Sequence, residues 1–561
     1  MSFFFLESPP KQGEPRDLCF SELGFETATA APPVPQFCKQ IHLIQYKSPK
    51  HIFFGILFLS FFTSLDMQVS ALLLPYAASS FSMHSMIAMI QVIQSIVNAV
   101  IKAPIAKFAG GIGLYHAFLV CIALYSAGHL LVGFAKNRYL FCLSQILYAF
   151  GNTGLAVLIQ LLVVDATKIL HRAKFAALPY LPFLVTVFVG PWLADLIIRY
   201  SNWRLGYIMF AVFIPLSALP LVVDTYRRFK SQETERALPD IPSMPALPLR
   251  KRIRQMMTSL DIVGCLLFTA SLSLLLLPVS LPPSAEVSVW NQPSVLASVG
   301  VGLVFGVLLI FWESNSRLAP QPLFHLSILK NPSLLIGSII GFCGSASFAL
   351  YQPYLFSYVK VTQFASTEYA GRVCALFPFF STISGLLVSL GIQYTGSYKR
   401  FILAFSPLAM IATLVILFGT LHANVFYCVI IGLSLIGCSI GVLNVAMLIG
   451  MQAIADSEHV GAVTALFLTT FAVGQAIGSS ISGALWSEQL WKHLVTNLPE
   501  LDHETIQKIY SDINYAAATT GAVREQVNLA FNYVMSISLM HEQETHEQET
   551  HEQETHEEEN E

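Results

Sequence analysis

From residue 52 onward the chain is a succession of apolar runs, each about as long as a bilayer is thick. Such a chain can fold only as a bundle of membrane-crossing helices. A crossing helix needs about 20 predominantly apolar residues, and every backbone polar group inside the hydrocarbon must find its partner within the protein. Runs of this kind lie near 52–74, 85–106, 113–134, 139–164, 176–198 and 203–223. They resume near 261–281, 294–313, 333–358, 369–392, 401–421, 424–449 and 460–484, giving six spans and then seven. Composition agrees: 54% of the 561 residues are hydrophobic, 12% are charged, and the mean hydropathy is +0.61. That excludes a water-soluble enzyme of this size. The expected class is an all-α polytopic membrane protein.

The polar stretches between the runs divide the chain. Residues 1–50 read as a disordered cytosolic tail and 51–223 as a first transmembrane half. Residues 224–260 form a proline-bearing linker with basic clusters at both ends, and 261–484 carry a second half with extra helices. A polar extracellular or lumenal loop at 485–526 precedes an apolar run, 527–540, too short to cross, so a fourteenth span is expected to be truncated. Residues 541–561 are an acidic tail in which HEQET recurs, a composition with no core of its own. The opening MSFFFLESPP lacks a basic region, so the first span is expected to act as the insertion signal. With the N-terminus inside, nineteen Lys and Arg fall on the cytosolic side and nine outside, leaving out Lys11, Arg16 and the intramembrane Lys102. The bias fits that orientation.

Chemistry-bearing residues inside the spans are few. Asp66 lies deep in the first span, where a carboxylate is costly unless it serves a purpose, and Thr63 and Ser70 share its helical face. The plain alternative is solvation near a frayed end. In the second span Gln91, Gln94, Asn98 and Lys102 form a polar seam, and Gln145, Tyr148, Asn152 and Gln160 mark the fourth. Such seams either line a substrate path or glue helices together. Lys102 lies near the cytosolic end, where snorkelling accounts for it. Tyr351, Gln352 and Tyr354, beside Phe348 and Pro353, line a vestibule or belong to an aromatic belt, and Arg372 attracts an anionic solute or anchors its helix. Asp165, Lys107 and Arg172 are candidates for an inner gate. Asp195 with Arg199, and Glu313 with Arg317, have the i, i+4 spacing of interfacial salt bridges.

Nine scattered cysteines read as small core residues, and His541, His546, His551 and His556 lie in the tail without sharing a helical face. No metal site, bound cofactor, nucleotide-binding loop or nucleophile motif is expected, nor a nucleic-acid partner. The expectation is a monomer in lipid, carrying a small molecule.

Six spans, a basic linker and a second set of spans resemble the major facilitator superfamily, whose halves rock around a midplane site. The chain is similar, as a diverged member, to the fungal siderophore-iron transporter branch. The resemblance is carried by LDMQVSALLLPYAASSF (65–81), HSMIAMIQVIQS (84–95), NWRLGYIMFAVFIPLSALPL (202–221) and DIVGCLLFTASLSLLLLP (261–278). It continues through PLFHLSILKN (322–331), SGLLVSLGIQYTGSYKRFIL (384–403) and GALWSEQLWKHLVTNLP (483–499). It implies a major facilitator fold of two six-helix halves plus extra helices, and proton-coupled uptake of a ferric siderophore at a plasma or endosomal/vacuolar membrane. Asp66 stands where the branch has its first-helix Asp, which by the resemblance makes it the candidate for proton coupling; Tyr76 and the loop from Trp486 to Tyr515 match regions facing the uptake side, and Trp203 and Arg204 match a structural signature. Ser70 and Gln94 replace expected arginines, and Gly110 and Leu114 replace the acid and base of the superfamily's gating motif. Two other readings stay open: a proton antiporter exporting a drug, toxin or glutathione-like solute, to which Val189-Gly190-Pro191 lends weak support, and a nontransporting sensor or decayed paralogue.

Overall fold

The computed structural model describes residues 50–81, 87–166, 178–236, 260–280, 292–315, 317–320, 322–323, 330–363, 365–422, 426–454 and 460–558. The expected N-terminal tail and the middle of the linker lie outside them. Among the described residues there is no β-strand. The first six long helices are α1 (Lys50–Ser80), α2 (Ile87–Ile112), α3 (Leu114–Phe134), α4 (Arg138–Ala166), α5 (Phe183–Tyr200) and α6 (Trp203–Arg236). A helical pair follows, α7 (Ile262–Leu276) and α8 (Pro293–Ser314). Then come α9 (Pro332–Thr362), α10 (Thr367–Thr395), α11 (Lys399–Leu421), α12 (Tyr427–Ile454) and α13 (Val460–Asn497). The chain closes with α14 (His503–Ser511), α15 (Ile513–Ala517) and α16 (Gly521–Glu558).

Each of the thirteen expected spans is a helix, and twelve helices among the described residues are long and apolar enough to cross a membrane. The exception is α7, whose 15 residues reach about 22 Å, short of a hydrocarbon core of about 30 Å. Prolines sit inside several spans, Pro75, Pro191 and Pro353 among them, as membrane helices tolerate when neighbours pair the freed carbonyls. Helix ends carry polar stops. Asn331 and Ser366 accept the amides of Ser333 and Tyr369, and Gly396, at φ 66°, closes α10 in the left-handed conformation.

The packing pattern occurs twice. In the first half α3 packs on α4 and α6, α2 on α4, and α1 on α5 and α6. In the second, α11 packs on α12 and α16, α10 on α12, and α9 on α13 and α16. The mapping of α1–α6 onto α9–α13 and α16 also interchanges the two main seams between halves, α2 with α13 and α5 with α10. It makes α7 and α8 the extra helices, packed on each other with α7 against α2.

The mapping also gives the last helix its place: it closes the second half as α6 closes the first. Val527, Ala530, Phe531, Val534, Met535 and Leu539 form its buried stripe, each at most 1% exposed. Its backbone continues as helix to Glu558, beyond the apolar run that ends at Met540. The expected polar loop is largely ordered too. The α13 helix runs on to Asn497, and α14 and α15 bury Ile506, Ile509 and Ile513.

Where α1 begins we call the tail face, and where it ends the loop face. At the loop face one hydrophobic core joins both halves, with Leu72 and Tyr76, Tyr354 and Val359, Trp486, Ile513 and Phe531 in a single cluster. At the tail face each half keeps its own, around Ile56, Phe118 and Leu158 in the first and around Leu334, Met447 and Phe467 in the second. A smaller cluster marks the meeting of α2, α7 and α13. The halves are therefore closed on each other at the loop face.

Candidate functional site

Asp66, halfway along α1, is fully buried and faces the interior of the first half. Its carboxylate is held on both sides. Ser70, one turn on, donates to Oδ1 at 2.7 Å. Oδ2 accepts from the Tyr125 hydroxyl and lies 2.9 Å from His129 Nε2. Tyr125 and His129 stand one turn apart on α3, so one face of that helix supplies both partners. Thr63, expected on the same face as Asp66, instead donates back to the Leu59 and Ser60 carbonyls of its own helix.

Two glycines create the room. A Cβ on Gly151 of α4 would sit 2.4 Å from the Tyr125 amide nitrogen, and one on Gly128 of α3 would sit 2.5 Å from that of Tyr148. Bare backbones at these two crossings let α3 and α4 approach closely, the usual device for membrane helices that gain little from hydrophobic exclusion. Tyr148 then packs against His129 with ring centroids 4.6 Å apart, and Tyr207 and Phe210 of α6 close the far side at 5.6 and 6.5 Å. The Tyr207 hydroxyl donates to the Ser70 carbonyl at 3.2 Å.

The result is a carboxylate and an imidazole, both 0% exposed, walled by aromatics. Burying a lone carboxylate in such a place is costly, and here it is matched by a serine, a tyrosine and a histidine. His129 Nδ1 is buried and has no hydrogen-bond partner among the described residues. The dyad is thus complete at Nε2 and open at Nδ1.

The other expected site residues do not gather around Asp66. Gln94 donates to Gln145 at 2.8 Å, so these two seam amides bind α2 to α4. Gln91, Asn98 and Asn152 are half-buried, and Gln160 donates to the Tyr180 hydroxyl at 3.2 Å. Tyr351 and Tyr354 are core residues of the loop face and do not line a vestibule: Tyr354 lies flat on Trp486, centroids 4.2 Å apart, while Gln352 is half-buried. Arg372 is exposed and pairs with Glu368 one turn back, which is the anchoring geometry. Of the gate residues, Lys107 is half-buried, whereas Arg172 and the Asp165 side chain lie outside the described residues, as do the side chains of the tail histidines. Asp195 pairs with Arg199 at 2.6 Å as the spacing indicated. Glu313 accepts the Leu323 amide at 3.1 Å. Arg204 donates to the Gly133 and Ala135 carbonyls at 3.0 and 2.6 Å and lies over the Trp203 ring at 4.4 Å, capping α3.

His129 is the residue that the sequence reading missed. An ionisable side chain inside an apolar span was its signal, one turn after a tyrosine.

Residues 56–479 match the Major Facilitator Superfamily family description. The chain belongs to this superfamily. It is therefore a multi-pass integral membrane protein of a transporter family, not an enzyme, and the repeated halves are those of the superfamily fold. Its curated relatives place it in the siderophore-iron branch. It is 36% identical to MFS siderochrome iron transporter C of Aspergillus fumigatus over 85% of this chain and 78% of the relative. It is 35% identical to siderophore iron transporter mirC of Emericella nidulans over 86% and 80%. Among solved structures, a bacterial homologue of the lysosomal transporter Spinster shares the fold with a TM-score of 0.54, at 10% identity over 91% of this chain and 98% of that one.

Proposed function

We propose that this superfamily member takes up ferric siderophores by alternating access, driven by protons. The observation that carries the substrate class is the 36% identity to a siderochrome iron transporter across 85% of the chain. The fold supports the mechanism: one core joins the halves at the loop face, and separate cores lie at the tail face. By the basic-residue bias the loop face is the extracellular or lumenal side, so this arrangement is the one that releases solute inward. The protein acts as a monomer, and the membrane is the plasma membrane or an endosomal or vacuolar one.

The proton site on this reading is the Asp66–His129 dyad. Its partners all belong to the first half, so rocking the two halves as rigid bodies leaves the dyad intact. Coupling acts through α1, which carries Asp66 and, two turns further, Leu72 and Tyr76 of the loop-face seam. Parting that seam changes what α1 packs against at its loop-face end, and with it which states of the dyad are stable.

The test is uptake of radiolabelled iron from a panel of siderophores in fungal cells stripped of their own carriers. Expression of the full chain gives saturable, protonophore-sensitive accumulation of at least one chelate. Asp66→Asn abolishes accumulation against a gradient while exchange across preloaded vesicles persists. A well-localised protein that moves none of the chelates, or an Asp66→Asn variant that accumulates iron like the parent, overturns the corresponding part.

A further inference from the structure

At the loop face several polar contacts between the halves converge on one lysine. Tyr76, near the end of α1, reaches into the second half, its hydroxyl 2.6 Å from Thr367 Oγ1 at the start of α10. Lys360, in the last turn of α9, donates to the same hydroxyl at 2.6 Å, with Thr367 Oγ1 at 3.5 Å. Its ammonium also lies 4.9 Å from the centroid of the Tyr76 ring, and Phe356 meets that ring at 6.1 Å. Asp195 is the carboxylate whose field reaches both Tyr76 and Lys360, but it is engaged by Arg199 at 2.6 Å. Among the described residues Lys360 makes no ion pair. A half-buried cation is thus satisfied by a hydroxyl of its own half and a phenol of the other, and it keeps the phenol only while the halves are shut.

Over Tyr76 lies a cleft of about 340 Å³ whose lining includes Ser79, Ser80, Asn202, Trp203 and Asp512. The α15 segment seats its edge, with the Ile513 amide donating to Ser79 Oγ at 3.2 Å. Hydroxyls, amides and an indole suit a compact solute studded with oxygen atoms, the one carboxylate, Asp512, already accepts the Asn514 amide, and the lining includes Tyr76, which Lys360 holds.

We propose that Lys360 is both the bolt of the loop-face gate and the first cationic contact of the solute. While the gate is shut it grips Tyr76. A solute in the cleft offers carbonyl, hydroxamate or carboxylate oxygens in place of the phenol, and the ammonium changes partner as the seam parts. The solute class rests on the uptake reading above; the bolt itself does not.

The experiment reads the seam directly. Leu72 is 6% exposed and packs across it: a Cβ on Gly371 would lie 2.9 Å from Leu72 Cδ1. A Leu72→Cys reporter in the full chain, reconstituted in vesicles, is labelled from the loop face with a membrane-impermeant maleimide, with the Leu72 parent as background. Tyr76→Phe keeps the ring and drops the hydroxyl; Lys360→Met drops the ammonium. Each raises the labelling rate about tenfold, equivalent to about 1.4 kcal/mol of closed-state preference. The double variant goes no further than either alone, and Lys360→Arg, which retains a cationic donor, stays within about twofold of the reporter. Rates unchanged in both single variants overturn the bolt.

Ferrichrome, a hydroxamate chelate, is the probe for the second half of the proposal. It speeds labelling severalfold when Lys360 is present and not in Lys360→Met. Equal acceleration in both backgrounds overturns the solute contact. No acceleration in either, with the Tyr76→Phe effect intact, rejects the solute class and leaves the gate standing, so the two failures are told apart.

Discussion

The two oxygens of Asp66 are used unequally. Oδ1 takes one hydroxyl from its own helix, and Oδ2 takes the tyrosine and the histidine of α3. Removing one member of a buried pair leaves an uncompensated group at a cost of about 3–5 kcal/mol. His129→Ala is therefore expected to lower the melting temperature of the detergent-solubilised protein sharply. Asp66→Asn alone does less, since the amide keeps partners for Ser70 and Tyr125. In His129→Ala the carboxylate is what remains stranded, so adding Asp66→Asn restores part of the loss, a coupling of about 1–3 kcal/mol. Simple additivity of the two substitutions counts against a dyad. Arg372 makes the contrasting case: with its side chain 60% exposed and paired to Glu368, Arg372→Gln should leave iron uptake and stability within error. At this scale the sequence shows that Asp66 matters because a carboxylate in an apolar span announces itself. It does not show the partner, because Tyr125 and His129 become neighbours of Asp66 only through glycine crossings on two other helices.

Helices were the most legible level, since length and hydropathy alone mark them. What apolar length cannot express is which helix completes which half. The apolar run of the last helix stops at Met540, yet by then Val527, Phe531, Val534 and Leu539 have already formed a buried stripe in the loop-face core. A stop placed after Met540 is accordingly expected to leave folding and uptake intact, and one placed after Arg524 to abolish both, read by monodispersity and radiolabelled iron accumulation. If the shorter chain remains folded, α16 is not the sixth helix of the second half. Helix crossings can be tested just as locally. Gly151→Ala pushes a methyl against the Tyr125 backbone, which has no flexible end to yield, at a cost of about 1–3 kcal/mol and with loss of the dyad's tyrosine. Gly300→Ala on α8, where nothing lies within 4 Å, serves as the neutral comparison for melting temperature. The polar seams illustrate a similar limit. Spacing showed that Gln94 and Gln145 each line a helix face, but only the assembled bundle shows that they spend their amides on each other.

In the whole molecule, the repeated packing pattern makes each half a body whose internal contacts should survive transport, while contacts across the loop-face seam must be made and broken in each cycle. Two cross-links separate these classes. Gly419 on α11 places a Cβ 3.0 Å from that of the native Cys428, at the start of α12, so Gly419→Cys ties two helices of one half at a span close to that of a disulfide. Leu72→Cys with Gly371→Cys is the pair across the seam, between α1 and α10, where a Cβ on Gly371 would lie 2.9 Å from Leu72 Cδ1. Both pairs lie toward the loop face, so depth and reagent access are matched. Oxidation of the first is expected to leave siderophore uptake near the unoxidised rate. Oxidation of the second should stop it, with recovery on reduction, because a carrier held shut at the loop face can no longer admit solute from that side. Equal sensitivity of the two would mean that the halves deform internally during transport, and equal indifference that the seam closing the structure is not on the transport path.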